Sequence, residues 1–568
     1  MIQWHRADAV TAHVNANDGR RRLTHMNTLI FLSFSVVILV LPDIILNIVL
    51  YQDYKNLLFI ASKAAQFVFA AGVAAVLLRS FYRAYALVGG LYLLSSLFEI
   101  VNVSLLNQYV SMDNLRALFS TTASESVEFI SRFGVFLLLD VVVLLAFLLC
   151  LTNYKKLPFV FSRRLVHVIG AAGVIAIAVP VMWVFDSDQR FAGKNLAKHI
   201  VRQKLLKEHP VSVYYRTYEV GLYTAQYAKL IAGRSHHRFG ATVGGTKPRL
   251  VVLVIGEGMR YSNWSVNGYG RPTSPRLSKL DNLISFRRHY SNANSTAASI
   301  PLILTQATPE SVSVAYSEGS ILSLYKEAGY HTAWISNQYI YYLDNKSEAD
   351  AAYDLFEERR LDGAVLPVLD EVLTTRQADD KFIIVNLSGN HGDTPEAFLT
   401  TFEPNSGGRV TSIAPGNKAL LVNDYDSKIL YQDFVLSEII KRLQRAETTA
   451  LLLFTADHGV NLFDDKDNAA LFGYGSSNPT QSELHVPLFL WVSDRYKEQN
   501  LGIVNALRAN AASVSTNDNV FDTLADVSSI EYKGFDEHRS VASSAYRPDE
   551  RVQVLVNGER VFRDVQAQ

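Results

Sequence analysis

The chain has 568 residues, with 54 basic and 54 acidic side chains, so its formal net charge is zero. A chain of this length holds more than one domain, and the balanced charge argues against nucleic acid as its main partner. Cys150 is the single cysteine, which excludes an intrachain disulfide.

The N-terminal third is far more apolar than the rest of the chain. It contains five segments that each approach the roughly 20 apolar residues that a membrane-spanning helix needs. The predicted spans are Leu29–Tyr51, Leu57–Leu78, Ala84–Leu106, Gly134–Leu151 and Leu165–Phe185. Five such segments in succession favour a multi-pass membrane domain over the buried helices of a soluble core.

Basic residues set the orientation of these spans. They concentrate before the first span, between the second and third, and between the fourth and fifth: Arg20, Arg21, Arg22, Arg79, Arg83, Lys155, Lys156, Arg163 and Arg164. Because basic loops stay in the cytoplasm, the N-terminus is predicted to be cytoplasmic and everything after the fifth span to lie outside. The third loop, Leu115 to Phe133, has the pattern of a surface helix. Its Glu125 is, from the pattern alone, a solvated carboxylate.

Three parts are therefore predicted. Residues 1–186 form the α-helical membrane domain with the surface helix in its third loop, and residues 187–246 form bridging helices and a linker. The stretch Gly240 to Lys247, GATVGGTK, has the composition of a flexible joint. Residues 247–568 form an exported domain.

The exported domain has the pattern of an α/β fold. Apolar runs such as RLVVLVIGEG, KFIIVNLSGNHG and ALLLFTADHG alternate with helical stretches. Buried strands that alternate with helices indicate a mainly parallel sheet between helices. In such folds, sites lie at the carboxyl ends of the strands.

Four of these strands end in side chains that bind metals or substrates. These residues are Glu257, Asn337, Asn390, His391, Asp457 and His458. A lone Asp–His pair is more often structural, but four strands that end this way at one edge indicate a metal site. Two carboxylates and an imidazole without a thiolate suit zinc, and manganese stays open.

A hydroxyl residue near the start of a predicted helix is the candidate nucleophile. Thr296 stands at that start, and Pro301 lies near the end of the first turn, where a missing N–H costs little. A hydroxyl at this place faces free backbone N–H groups, which suits an anion such as phosphate. An ordinary helix cap has the same pattern, and spacing alone does not choose between Ser295 and Thr296.

The motifs of the chain resemble those of the bacterial inner-membrane phosphoethanolamine transferases, of the alkaline phosphatase and sulfatase superfamily. The motifs are VLVIGEGMRYSNWSVNGYGRPTSP, STAASIP, GNHG, NDYDSKILYQDFVLSEII and TADHG, in the family's order. The resemblance implies a monomeric enzyme of the inner membrane with its catalytic domain in the periplasm. It would transfer phosphoethanolamine from phosphatidylethanolamine to a sugar hydroxyl of lipid A, lipopolysaccharide core or another glycan.

The resemblance also implies a zinc site and a covalent mechanism. Glu257, Asp457 and His458 would bind one zinc ion. Thr296 would be the fourth ligand and the nucleophile, and would carry the phosphoethanolamine group in a phosphothreonine-type intermediate.

Four residues are implied to contact substrate. His391 would contact the phosphoryl group or the leaving group, and Asn337 falls where the family has a substrate-contacting asparagine. Glu125 matches a family glutamate in the third loop. Tyr474 stands where the family has a second site histidine, which leaves a second zinc ion open.

Three other functions compete with this interpretation. A glycerol-phosphate transferase would use phosphatidylglycerol on the same zinc and threonine. A sulfatase would need a Cys/Ser-x-Pro-x-Arg sequence, which is absent at Thr296. A transporter or sensor would account for charged residues in or near the spans, namely Asp43, Lys63, Glu99 and Asp140.

Overall fold

The computed structural model describes residues 33–46, 57–106, 108–120, 123–187, 206, 208–234, 236–338, 345–356, 361–390, 413, 415–466, 469 and 471–564. The chain divides into two compact units. The first comprises Met1–Val110 and Gly134–Arg216, and the second comprises Ser111–Phe133 and Thr217–Gln568.

The first unit is helical. Its helices are Leu41–Ile44, Leu57–Leu78, Phe81–Ala84, the π-helical Tyr85–Gly89, Gly90–Leu106, Arg163–Ser187 and the larger part of Ala123–Tyr154. Among the described residues, two helices are long and apolar enough to cross a membrane, Leu57–Leu78 and Phe81–Ser104. These two coincide with the second and third predicted spans. Residues 33–46 of the first predicted span are described, and its two ends lie outside the described residues.

Three of the four charged residues that the sequence placed in or near the spans, Asp43, Lys63 and Glu99, are buried and partnered. The fourth, Asp140, has a carboxylate oxygen buried without a hydrogen-bond partner among the described residues. The ammonium of Lys63 lies 3.2 Å from the Glu208 carboxylate and donates to the backbone oxygen of His209 at 2.8 Å. Asp43 lies 2.8 Å from Nδ1 of the same histidine. Glu99 accepts a backbone N–H at 2.7 Å. Because buried charges need partners, these contacts give the side chains a structural role that does not require transport.

The predicted surface helix of the third loop is divided between two helices. One is Met112–Ser120, and the other, Ala123–Tyr154, runs for 32 residues into the region of the fourth predicted span. The second helix continues because no proline interrupts it, and a single glycine inside a helix costs only about 1 kcal/mol.

The second unit contains a mixed, mostly parallel sheet. Its strands are β1 Thr242–Val243, β2 Leu250–Gly256, β3 Leu283–Phe286, β4 Arg288–Tyr290, β5 His331–Ser336, β6 Ala351–Asp354, β7 Lys381–Asn386, β8 Ala450–Ala456, β9 Asn461–Leu462, β10 Phe472–Gly473, β11 Leu488–Val492, β12 Val514–Thr516, β13 Ile530–Glu531, β14 Arg551–Val556 and β15 Glu559–Asp564. Seven of them form one sheet in the order β3-β11-β8-β2-β7-β5-β6. Strand β11 is antiparallel to both of its neighbours, and the other pairs are parallel. The prediction of a mainly parallel sheet is confirmed.

Apolar side chains cover both faces of the sheet. Val251 and Leu253 of β2 belong to one buried cluster, and Val252 and Val254 belong to the other. Besides Met112–Ser120 and the first part of Ala123–Tyr154, the α-helices of this unit are Ser212–Arg234, which begins in the first unit, Thr296–Leu304, Val314–Ser317, Ile321–Glu327, Val365–Thr374, Lys418–Arg445, Gln481–Leu484, Asp494–Gln499, Leu501–Asn510 and Val520–Val527. Each buried aliphatic side chain contributes about 1.5–3 kcal/mol, which explains why the strands read as unbroken apolar runs.

The stretch from Gly240 to Lys247 is not the flexible joint that its composition favours. Strand β1 lies within it and pairs with β13, with Thr242 opposite Glu531. The N–H of Gly244 also donates to Ser529 O at 2.9 Å. These backbone hydrogen bonds fix the stretch against the second unit, a long-range pairing that local composition does not reveal.

A buried histidine in strand β4 predicts that acid lowers the stability of the protein. His289 makes hydrogen bonds to Ser515, Thr455 and Asn517, and burial lowers its pKa to about 3. Because the unfolded chain binds a proton near pH 6.5, the stabilising effect of neutral His289 is full above that pH and is lost as the pH falls toward 3.

We therefore expect the full-length protein in detergent micelles to lose thermal stability faster between pH 7.5 and 5 than His289→Gln does. The difference should be at most about 1.4 kcal/mol per pH unit below pH 6.5. Thermal unfolding at each pH measures it. Parallel pH dependences of the two proteins would contradict the prediction.

Candidate active site and metal centre

The central residues of the site follow two neighbouring parallel strands, β2 and β8. Gly256 ends β2 opposite Ala456, which ends β8. Glu257 follows the first strand, and Asp457 and His458 follow the second. All three side chains are buried. The register places them side by side at the carboxyl edge of the sheet, as the sequence predicts.

The three side chains form a compact cluster. One donor atom from each lies within 4.8 Å of the others. His458 Nε2 lies 3.3 Å from Glu257 Oε1 and 3.4 Å from Asp457 Oδ2. Its Nδ1 lies 2.9 Å from the carbonyl oxygen of Gly459. Because a carbonyl only accepts, Nδ1 carries a proton, and Nε2 faces the two carboxylates.

The electrostatics of this cluster fit a divalent cation. Burial and the neighbouring Asp457 carboxylate raise the pKa of Glu257 well above its usual range. Asp457 Oδ1 accepts the N–H groups of Gly258 and His458 at 3.0 and 2.7 Å. Its Oδ2 is buried without a hydrogen-bond partner in the described part of the chain. Two adjacent buried carboxylates are costly, and a cation of the zinc type, bound by oxygen and imidazole donors, removes that cost.

The hydroxyl of Thr296 reaches this cluster. It donates to Glu257 Oε2 at 3.0 Å and lies 3.2 Å from His458 Nε2. Thr296 begins the helix Thr296–Leu304, with Ser295 as its N-cap. The Ser295 hydroxyl has no hydrogen-bond partner among the described residues. The hydrogen bonds thus identify Thr296 as the residue whose hydroxyl reaches the cluster, a choice between Ser295 and Thr296 that sequence spacing leaves open.

Asn337 is buried at the end of β5, and its amide faces a carboxylate. It donates to Asp362 at 2.8 Å. Asp362 also accepts N–H groups from Ser388 and Gly389 at 2.8 and 2.9 Å, and the Gln432 amide at 2.6 Å. Asp362 therefore links the loop after β7 to the Asn337 side chain. The sequence carries no spacing signal for Asp362, because it lies in a 3₁₀ turn outside the strand ends.

The remaining predicted residues occupy different positions. The backbone N–H of Asn390 donates to Glu257 O at 3.0 Å. His391 lies outside the described residues, and Glu125 lies in the helix Ala123–Tyr154, where only its backbone is described. The Tyr474 ring packs on the His458 ring, with centroids 4.1 Å apart. The aromatic residue at the family's histidine position therefore contacts a residue of the metal cluster.

Two further residues support the cluster, and sequence reasoning missed them. Gln338 donates to Glu257 Oε2 at 2.6 Å. Asn517 donates to the carbonyl oxygens of Ala456 and Asp457 at 3.0 and 3.3 Å. Gln338 directly follows Asn337 at a strand end, so its position was a usable signal. Asn517 is 60 residues from Asp457, and no local pattern links them.

Gly459 follows His458 and packs closely against the backbone of Ser482, so a larger residue at this position should be destabilising. A Cβ at Gly459 would lie 2.1 Å from Ser482 O. We expect Gly459→Ala to destabilise the protein by about 1–3 kcal/mol, because backbone must move to make room. Thermal unfolding measures the change. Gly502→Ala is the control, since nothing lies within 4 Å of that position, and equal stabilities of the two variants would refute the prediction.

Comparison with known proteins defines the class. The sulfatase family model matches residues 249–530, the region that holds the sheet and the cluster, so the fold is of the sulfatase type. Phosphoethanolamine transferase EptC of Escherichia coli strain K12 is 28% identical over 328 residues, which cover 54% of this chain and 55% of the relative. EptA of the same strain is 27% identical over 342 residues, which cover 56% and 60%. The chain belongs to the phosphoethanolamine transferase family of the sulfatase and alkaline phosphatase superfamily.

Solved structures share the fold. The integral membrane protein lipooligosaccharide phosphoethanolamine transferase A of Neisseria meningitidis has a TM-score of 0.65 at 19% identity, with coverage of 86% of this chain and 98% of that chain. The C-terminal periplasmic domain of E. coli EptC, in complex with zinc, has a TM-score of 0.50 at 24% identity, with coverage of 57% and 96%. The chain spans little more than half the length of the curated relatives that it matches.

Proposed function

We propose that this protein transfers phosphoethanolamine from phosphatidylethanolamine to a sugar hydroxyl of a periplasmic acceptor, with Thr296 as the nucleophile. The observation that carries the proposal is the Thr296 hydroxyl, 3.0 Å from Glu257 and 3.2 Å from His458 inside a buried cluster that fits a cation. Membership of the transferase family supplies the group transferred. The acceptor class is lipid A, lipopolysaccharide core or another glycan.

Zinc is the proposed cofactor. Glu257, Asp457 and His458 would hold it, with Thr296 as the fourth ligand. When bound, zinc lowers the pKa of a coordinated hydroxyl and offsets negative charge on a phosphate. The proposal needs one ion, and the tyrosine at position 474 leaves a second without a histidine ligand there.

The first half-reaction moves the headgroup onto the protein. Thr296 Oγ attacks the donor phosphorus, and the bond from phosphorus to the diacylglycerol oxygen breaks. Glu257 Oε2, which accepts the Thr296 hydrogen bond, takes the threonine proton. His391 is proposed to protonate the departing oxygen.

The second half-reaction releases the group to the acceptor. A sugar hydroxyl attacks phosphorus and gives its proton to His391, while Thr296 leaves and recovers its proton from Glu257. The two steps predict ping-pong kinetics. Asn337, Tyr474 and Glu125 are the proposed substrate contacts.

The membrane part serves the lipid donor. We propose five spans with a cytoplasmic N-terminus, residues 187–246 as a bridge and residues 247–568 as the periplasmic catalytic domain. The spans hold the site near the leaflet that contains the donor and so raise its effective concentration. The protein is proposed to act as a monomer.

Mass spectrometry tests the donor and the acceptor. Cells that express the wild-type protein should gain phosphoethanolamine on an envelope glycolipid or glycan, and cells with Thr296→Ala should not. A trapped peptide that contains Thr296 should carry the mass of phosphoethanolamine. A glycerol-phosphate mass on that peptide would refute phosphatidylethanolamine as the donor in favour of phosphatidylglycerol.

A further inference from the structure

The helix that carries the proposed nucleophile contains a proline, which leaves one backbone carbonyl of its first turn without its helical hydrogen bond. In an α-helix each N–H donates to the carbonyl four residues earlier. Pro301 lies inside the helix Thr296–Leu304, and it has no N–H. The carbonyl of Ala297, the residue after the nucleophile, therefore lacks its helical donor at position 301. Ala297 is buried, and a buried carbonyl needs a donor from elsewhere.

Arg116 brings a guanidinium to that carbonyl. Its Nη2 lies 3.5 Å from Ala297 O. Arg116 belongs to the helix Met112–Ser120, in the same compact unit as the nucleophile helix. The contact is long, but charge-assisted hydrogen bonds are about twice as strong as neutral ones.

The guanidinium is held in place by its own helix and by an aromatic ring. Arg116 lies 3.5 Å from Asp113 and over the Tyr223 ring at 4.6 Å, with 9% of its side chain exposed. Asp113 in turn accepts the N–H of Asn557 at 3.0 Å, which ties this helix to the β14–β15 hairpin. The helix Met112–Ser120 is thus anchored independently of the nucleophile.

Helix electrostatics do not account for this arrangement. The first turn of a helix is the positive end of its dipole, where a cation is disfavoured by a few tenths of a kcal/mol to about 1 kcal/mol. Asp113 and the Tyr223 ring stabilise the buried cation, and the carbonyl left by Pro301 adds an acceptor at this end of the helix.

We infer that Arg116 is a positioning residue for Thr296: it supplies the hydrogen bond that Pro301 removes and fixes the first turn of the nucleophile helix. The effect on transfer rests on the proposed function, whereas the effect on the helix does not. A small displacement of a nucleophile costs up to about 100-fold in rate, so the contact is expected to matter more for turnover than for donor binding.

A double-mutant cycle tests the inference. Arg116→Met removes the donor, and Pro301→Ala restores an N–H within the helix. In the full-length, zinc-loaded protein, we expect Arg116→Met to slow formation of the Thr296 adduct by about 10- to 100-fold with little change in KM for a phosphatidylethanolamine probe. In the Pro301→Ala background, the same substitution should cost less than about threefold. Equal losses in both backgrounds, or a raised KM with kcat unchanged, would overturn the inference.

Two controls keep the test specific. Arg276 also pairs with a carboxylate and an aromatic ring, 3.3 Å from Asp433 and 5.5 Å from the Phe434 ring centroid, although its side chain is more exposed. Neither of these partners belongs to the nucleophile helix, so Arg276→Met should leave the adduct rate unchanged. Arg116→Lys keeps the charge on a shorter donor and serves if Arg116→Met does not fold. It should show a smaller loss that Pro301→Ala also removes, and a loss that persists in that background would overturn the inference.

Hydrogen exchange separates this inference from the proposed function. We expect faster amide exchange over residues 297–300 in Arg116→Met and exchange close to that of the parent in the Pro301→Ala background. If no phospholipid donor forms an adduct with Thr296, the proposed function is wrong. The exchange pattern then tests by itself whether Arg116 fixes the first turn of the helix. Unchanged exchange in Arg116→Met would overturn it.

Discussion

Replacing Thr296 with alanine is expected to lower the rate of phosphoethanolamine transfer by about 10⁴-fold or more, the scale of losing an enzyme nucleophile. The variant keeps Glu257, Asp457 and His458, three of the four proposed zinc ligands, so zinc content should remain near that of the wild type. The measurement is transfer from a labelled phosphatidylethanolamine by the full-length protein in detergent micelles, with metal content determined in parallel.

Two neighbouring variants make this result specific. Ser295→Ala should retain most activity, because the Ser295 hydroxyl makes no hydrogen bond to a described residue. Thr296→Ser keeps the attacking oxygen and should retain part of the rate. If Thr296→Ala turned over at the wild-type rate, or if Ser295→Ala were the inactive variant, the proposed mechanism would be wrong.

Removal of one carboxylate from the cluster should change stability in opposite directions with and without zinc. We expect Asp457→Asn to lower zinc affinity by at least about 100-fold, since even residues that only orient metal ligands cost 10- to 100-fold. Without zinc the variant should be more stable than the wild type, because the substitution ends the repulsion between Asp457 and Glu257, which together with burial raises the pKa of Glu257.

Thermal unfolding with a chelator and with excess zinc measures both effects. At zinc a thousandfold above its Kd, the wild type should gain about 4 kcal/mol, and the variant much less. Asp362→Asn is the matched control, because Asp362 is buried but accepts hydrogen bonds instead of facing a second carboxylate. It should be less stable in both conditions with unchanged zinc affinity. A metal-free Asp457→Asn protein less stable than the wild type would contradict the prediction.

The recognisable parts of the site are those that follow a strand. Glu257 and Asp457 sit directly after unbroken apolar runs, and parallel strands bring such ends to one edge. Thr296 also carries a motif, although only its hydrogen bonds distinguish it from Ser295. Gln338 could have been found by the same argument that indicated Asn337.

The supporting residues were not accessible in this way. Asp362 and Arg116 lie outside the strand ends, and Asn517 follows β12, which is not part of the seven-stranded sheet. Each contacts partners distant in the sequence, for example 181 residues away for Arg116 and Ala297. Asp, Asn and Arg are common at surfaces, so their types carried no signal. The pairing of β1 with β13 could not be predicted either, because the two strands are far apart in the sequence.

The sequence alone determined that apolar strands would pair in parallel, with acids and an imidazole at one edge of the sheet. It could do so because the local apolar pattern shows which segments are buried strands, and the residues that follow those segments lie at the ends of the strands. The tertiary structure decided which hydroxyl reaches that rim, that Tyr474 packs on His458, and which distant groups hold the cluster in place. Those contacts depend on the three-dimensional positions of elements far apart in the chain, and no local pattern encodes such positions.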